Sequence, residues 1–150
     1  MSRTPVELTF EECLQGLSAG VIGRVALSTP RGPRIVPVNY GVFDDAIIIR
    51  TAPYSELGTY GPDALLAFEV DDFDIDLEEG WSVVAHGRAQ RIDDLDEIEQ
   101  IRTALDPQPW AAGVRSMYLR LEWRELTGRR LGGGWLSGAL STPGARDASR

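Results

Sequence analysis

The chain has 150 residues, 43% hydrophobic and 25% charged, enough for one domain burying roughly 70% of its unfolded surface, and this excludes a disordered or collagen-like polymer. All 15 basic residues are arginine, and against 23 acidic ones they leave a formal charge of −8, which argues against nucleic acid or a membrane surface as partner. No apolar run approaches a membrane span, the opening MSRTPVELTF has no apolar signal core, and the single Cys13 fits a reducing cytoplasm.

Thr9 followed by Glu12 is a capping box that starts a short helix. Phe10, Cys13, Leu14 and Leu17 share its apolar face, and Ser18-Ala19-Gly20 ends it. On that face Cys13 reads as a small core residue, not as a nucleophile. From Val21 the pattern becomes short β-type runs separated by turn signals. Val21 to Ser28 is the first strand, and Thr29 to Pro33 the turn. Arg34 to Phe43 is the second strand, Asp44-Asp45 a tight turn, and Ala46 to Thr51 the third strand. A single helical turn is expected over Ser55 to Tyr60. Further strands follow at Ala64 to Val70 and Trp81 to Ile92, with the acidic stretch Asp71 to Glu79 between them.

Asp93 and Asp94 open a helix through Ala104, with Leu95, Ile98, Ile101, Arg102 and Leu105 on one side. A proline-bearing link (Asp106 to Pro109) leads to a last strand, Ser116 to Glu125. The Gly-rich segment 132–150 reads as a flexible tail tethered at Trp135 and Leu136, after a domain spanning 1–131. The strand spacing predicts an antiparallel meander closed as a barrel or sandwich.

Several chemistries lack their residues. Asp72, Asp74 and Asp76 alternate, but a calcium loop begun there has Leu77 and Val83 where glycine and glutamate are required. His86 is the one histidine and lies within a strand pattern. No serine sits in a nucleophile elbow, and Gly132-Gly133-Gly134 has no P-loop lysine after it. No metal site is expected.

Two segments remain. In Val36-Pro37-Val38-Asn39-Tyr40-Gly41 the proline cannot donate a ladder hydrogen bond, so the run belongs at an edge. Open backbone groups and an amide side chain suit a planar heterocycle, and they suit equally an edge protected against aggregation. The next strand ends in Arg50-Thr51, and Ser55 follows. A guanidinium, two hydroxyls and free amides at a helix start make a phosphate cradle, while a surface ion pair explains Arg50 as well. The pairing suggests a ligand with a flat polar ring and a phosphate tail.

The order IGRVALS, PRIVPVNYGVF, AIIIRT with YSEL, LLAFEVDDFD, GWSVVAHGRAQRI and ELTGRRL resembles the pyridoxamine 5'-phosphate oxidase-like family, in its small actinobacterial branch, over about residues 8–131. The resemblance implies a mainly β fold, a six-stranded antiparallel split β-barrel with a few short helices. It also implies a homodimer with FMN in the groove between subunits and a small-molecule substrate. By analogy Pro37, Val38, Asn39 and Tyr40 line the flavin ring, partly through backbone atoms, and Arg50, Thr51 and Ser55 hold the phosphate. Trp81 and Ser82 approach the flavin of the other subunit. The implied activity is that of an FMN-binding oxidoreductase of unspecified substrate. The alternatives are a deazaflavin-dependent reductase and a non-enzymatic flavin- or haem-binding protein. Where relatives carry a lysine after the phosphate-binding serine, this chain has Glu56, a carboxylate that must point away or pair with arginine. Arg129 and Arg130 are candidates for a substrate phosphate by charge alone.

Overall fold

The computed structural model describes residues 3–105 and 113–133. The elements are β1 (Val6–Glu7), α1 (Phe10–Ala19), β2 (Ile22–Thr29), β3 (Gly32–Phe43), β4 (Ala46–Thr51) and α2 (Glu56–Tyr60). After them come β5 (Leu65–Asp74), β6 (Glu79–Ile92), α3 (Leu95–Ala104) and β7 (Met117–Leu131). The sheet order is β1-β7-β4-β3-β2-β5-β6, and a further β6–β7 pairing closes it. Six long antiparallel strands therefore form a barrel, the expected architecture. The proline-bearing link and the residues from 134 onward, including the tether at Trp135 and Leu136, lie outside the described residues.

Alternation decides what the barrel encloses. β2 turns Gly23, Val25 and Leu27 inward and leaves Ile22, Arg24, Ala26 and Ser28 outside, as a period of two requires. β5 and β6 do the same with Leu66, Phe68, Val70, Trp81, Val83 and Ala85. β4 is buried on both faces, which accounts for three successive isoleucines. Ile47 and Ile49 join the barrel core, while Ile48 packs outside with Ile92, Ile101 and Tyr118 beneath α3. Asp44 and Asp45 both adopt positive φ, 51° and 56°, matching the twist that a two-residue hairpin needs. Where β6 and β7 cross a bulge at His86/Gly87, a Cβ on Gly87 would lie 1.9 Å from the Glu122 carbonyl oxygen, so only glycine fits.

At α1, Thr9 Oγ1 accepts from the Glu12 amide, and Glu12 Oε2 accepts from the Thr9 amide. Four sequence expectations need correction. Phe10 is 55% exposed and Leu95 79% exposed, each the first residue of its helix. The strands on either side of the acidic stretch run further into it than Val70 and Trp81: β5 and β6 pair from Asp74↔Glu79 onward, and Leu77 N–H donates to Asp74 Oδ1 in the tight turn. β7 runs six residues past Glu125, held by β6 as far as Gly80↔Leu131. β1 has no counterpart in the sequence reading, since two residues carry no period.

Candidate functional site

The barrel is open along half of β3. Gly32 to Asn39 pair with β2, but β4 pairs with β3 only from Tyr40 to Phe43. After Thr51 the chain turns away into α2, so, among the described residues, 33–38 have a ladder partner on one side only. Pro37 lies in this open stretch, where its missing N–H costs no ladder bond. The edge position expected from its sequence is what the fold contains.

Alternation splits the four candidate ring contacts into two faces. Val38 and Tyr40 point into the barrel core. Pro37 and Asn39 point outward, with Pro37 opposite Arg24 and Asn39 opposite Ile22 on β2. The β3–β4 register, one step beyond Tyr40↔Ile49, sets Asn39 beside Arg50 on the outer face. Arg50 Nε and Nη2 donate to the Arg115 carbonyl at 3.3 and 3.1 Å. Its guanidinium also sits 5.2 Å from the centre of the Tyr118 ring, a cation–π arrangement.

The two hydroxyls do come together. Thr51 Oγ1 and Ser55 Oγ are 2.9 Å apart. Ser55 also donates to the Ala52 carbonyl at 2.7 Å and accepts from the Gly58 amide at 2.9 Å, capping α2. Glu56, next in the chain, faces Arg31 Nη2 at 3.6 Å and Arg34 Nε at 3.5 Å. The carboxylate is thus paired with arginine, one of the two dispositions its position demands. Sequence reasoning passed over Arg31 and Arg34; the signal was two arginines flanking a Gly-Pro turn in a chain with no lysine.

Trp81 and Ser82 part company. Trp81 is 7% exposed and packs in the barrel core against Gly16, on the other face of the sheet from Asn39. Ser82 points outward, opposite Asp71 on β5 and Arg129 on β7. Arg129 and Arg130, being adjacent on a strand, point to opposite faces and form no joint site.

The outer face holds a second group. Arg24 Nη1 reaches Glu69 Oε2 at 2.9 Å and Asp71 Oδ2 at 3.7 Å. Loss of hydration, then the hydrogen bond and charge of Asp71, push the Glu69 carboxyl above its ordinary range, with Arg24 opposing. Around this trio the face is apolar: Ile22, Ile35 and Leu65 are 38%, 72% and 61% exposed. A concavity of about 320 Å³ is lined by Ala26, Ser28, Pro33, Leu65, Ala67 and His86 among others. The β2–β5 pairing that assembles this face joins segments far apart in the chain, so no local pattern announces it.

Comparison with known proteins agrees with this architecture. An uncharacterized protein of Mycobacterium tuberculosis is 32% identical over 135 residues, covering 87% of this chain and 88% of that protein. The structure of an FAD-binding protein from Mycobacterium smegmatis superposes with a TM-score of 0.71 at 26% identity, covering 84% of this chain and 98% of that one. An FAD-binding protein from Mesorhizobium loti shares the fold, with a TM-score of 0.71 at 20% identity over 88% of this chain and all of that one (100%). The family model described as pyridoxamine 5'-phosphate oxidase matches residues 9–130, and with that match the chain belongs to the pyridoxamine 5'-phosphate oxidase family.

Proposed function

We propose that the chain binds a flavin nucleotide, FMN or its larger relative FAD, along the open edge of β3 and serves as a flavin-dependent oxidoreductase. The observation that carries this reading is the one-sided ladder of residues 33–38, next to a hydroxyl pair and a cluster of arginines. The residues fit such a ligand. The backbone groups of β3 that no described residue pairs, with the outward Asn39 amide, suit the alternating donors and acceptors of the flavin ring, and Pro37 offers it an apolar contact. The guanidinium groups near Thr51 and Ser55 suit an anionic tail, while the two hydroxyls, bonded to each other and to the Ala52 carbonyl, fix the start of α2 beside it. The FAD-binding relative from M. smegmatis supports a flavin cofactor.

When bound, the flavin supplies hydride or electron transfer, and the protein's part is orientation and local charge. Asn39 would hold the ring's polar edge, and Arg50 would add positive charge beside it. Glu69, with its carboxyl raised by burial and by Asp71 and held by Arg24, sits one row from Asn39 on the same outer face. The apolar outer face favours self-association, since a monomer rarely leaves such a surface uncovered. A second copy of this chain covering it would complete the groove. The buried free thiol of Cys13 suits a reducing, cytoplasmic setting.

The test is a visible absorption spectrum of the purified protein, followed by fluorescence titration with FMN and FAD at physiological salt. A flavin spectrum, or micromolar binding weakened in Arg50→Ala, supports the reading. Uptake of a deazaflavin in preference to both would identify the reductase alternative. A colourless protein that takes up none of the three points to a non-enzymatic member.

A further inference from the structure

Two guanidinium groups and one carboxylate meet beside the start of α2. Arg31 comes from the β2–β3 turn and Arg34 from the start of β3, and each touches Glu56 through a single nitrogen at 3.6 and 3.5 Å. Among the described residues neither arginine side chain has a further ion pair or hydrogen bond. A guanidinium carries several N–H donors, far more in total than one carboxylate accepts from two such groups. The cluster keeps a net charge of +1 in a chain whose total is −8. Exposed ion pairs of this length add little to stability, so the fold itself gains little from gathering them.

The cluster adjoins the candidate site. Glu56 follows Ser55, whose hydroxyl lies 2.9 Å from Thr51, and Arg34 belongs to the open segment of β3. Arg50 is differently engaged, with two of its nitrogens turned to the Arg115 carbonyl and its plane on Tyr118. Guanidinium groups with donors to spare match the oxygens of a phosphate ester.

We infer that Arg31 and Arg34, gathered by Glu56, hold the phosphate-bearing tail of the flavin nucleotide; this rests on the flavin reading above. Glu56 is then a positioning residue. Its carboxylate fixes two long side chains in place and yields part of their donors when the phosphate arrives.

The experiment is a titration of the full chain and of an Arg31→Gln/Arg34→Gln variant with FMN, FAD and riboflavin, the last having the same ring and no phosphate. The variant is expected to bind riboflavin as the parent does and to lose on the order of tenfold in affinity for FMN, FAD or both, as two charge-assisted contacts imply. Loss with FAD alone places the cluster at the second phosphate. The parent's preference for the phosphorylated ligands should fall with added salt, and the variant's should not. A variant that keeps the full preference overturns the inference, as does a parent that binds riboflavin and FMN equally; both leave the flavin reading standing. A parent that binds none of the three overturns the flavin reading and the inference with it. Glu56→Gln should reduce the phosphate preference without changing riboflavin binding, and a gain in FMN affinity would overturn the positioning role.

Discussion

The Tyr40 hydroxyl donates to the Leu17 carbonyl oxygen at 2.5 Å, so the last residue of the P-V-N-Y run ties α1 to the barrel. The ring is 5% exposed and meets Phe68 edge to face, with centroids 4.6 Å apart. Burial pushes the phenol far above its ordinary range, and it stays a neutral donor at any working pH. Tyr40→Phe keeps the ring contact and removes only the donor. It should cost about 1 kcal/mol, the net worth of one such bond, read as a lower urea midpoint with an unchanged slope. An unchanged midpoint would mean that the hydroxyl is held without gain.

Trp81 separates a core role from a cofactor role. A Cβ on Gly16 would lie 2.8 Å from its Cζ3 and 3.1 Å from a Val83 methyl, so α1 rests directly on the indole. Gly16→Ala gains up to roughly 1 kcal/mol of helix propensity, and overpacking costs roughly 1–3 kcal/mol. The expected outcome is a net loss of about 1 kcal/mol in chemical denaturation. Trp81→Phe should likewise lower stability while leaving flavin affinity where it was. A drop in flavin affinity at unchanged stability would return Trp81 to the cofactor site.

How far the sequence reached can be argued from these same residues. Capping boxes, turn dipeptides and period-two strands are local, so α1, the Asp44-Asp45 hairpin and the edge position of Pro37 were legible from the chain itself. Alternation could also have told Val38 and Tyr40 from Pro37 and Asn39, because neighbours on a strand face opposite ways. Partners distant in the chain were not legible. Nothing near Arg24 announces Glu69, 45 positions on, and nothing near Glu56 announces Arg31 and Arg34. The family resemblance supplied the barrel, but its lysine position drew attention to Glu56 as a lost cation. The fold puts two cations beside that carboxylate.

Glu69 and Asp71 share one face of β5, and their contact is testable through pH. The Glu69 carboxyl is raised from 4.5, first by loss of hydration and then by Asp71. The folded state therefore holds this proton more tightly than the unfolded chain does. The stability linked to it is fully present below pH 4.5 and is lost as pH rises through the raised value. Asp71→Asn removes the acidic neighbour and should bring the Glu69 titration down, as followed by carbon-13 NMR of the carboxyl. Through this titration the variant should gain stability relative to the parent as pH rises above 4.5. An unmoved Glu69 titration would assign the whole shift to burial.

The outer face gives the last prediction. Ile35, Ala26, Ala67 and His86 form one row across β3, β2, β5 and β6, with Ile35 72% exposed at its end. The small side chains in the middle leave the concavity of about 320 Å³, open to an apolar group from another molecule. If a second copy covers this row, Ile35→Glu places an unpaired carboxylate in the contact and must desolvate it. The parent should then sediment as a dimer at micromolar concentration and the variant as a monomer with unchanged thermal stability per chain. Flavin affinity should fall in the same variant, because the groove would lack its second wall. A variant that stays dimeric moves the contact to another face, and one that turns monomeric with full flavin affinity makes the site complete within a single chain.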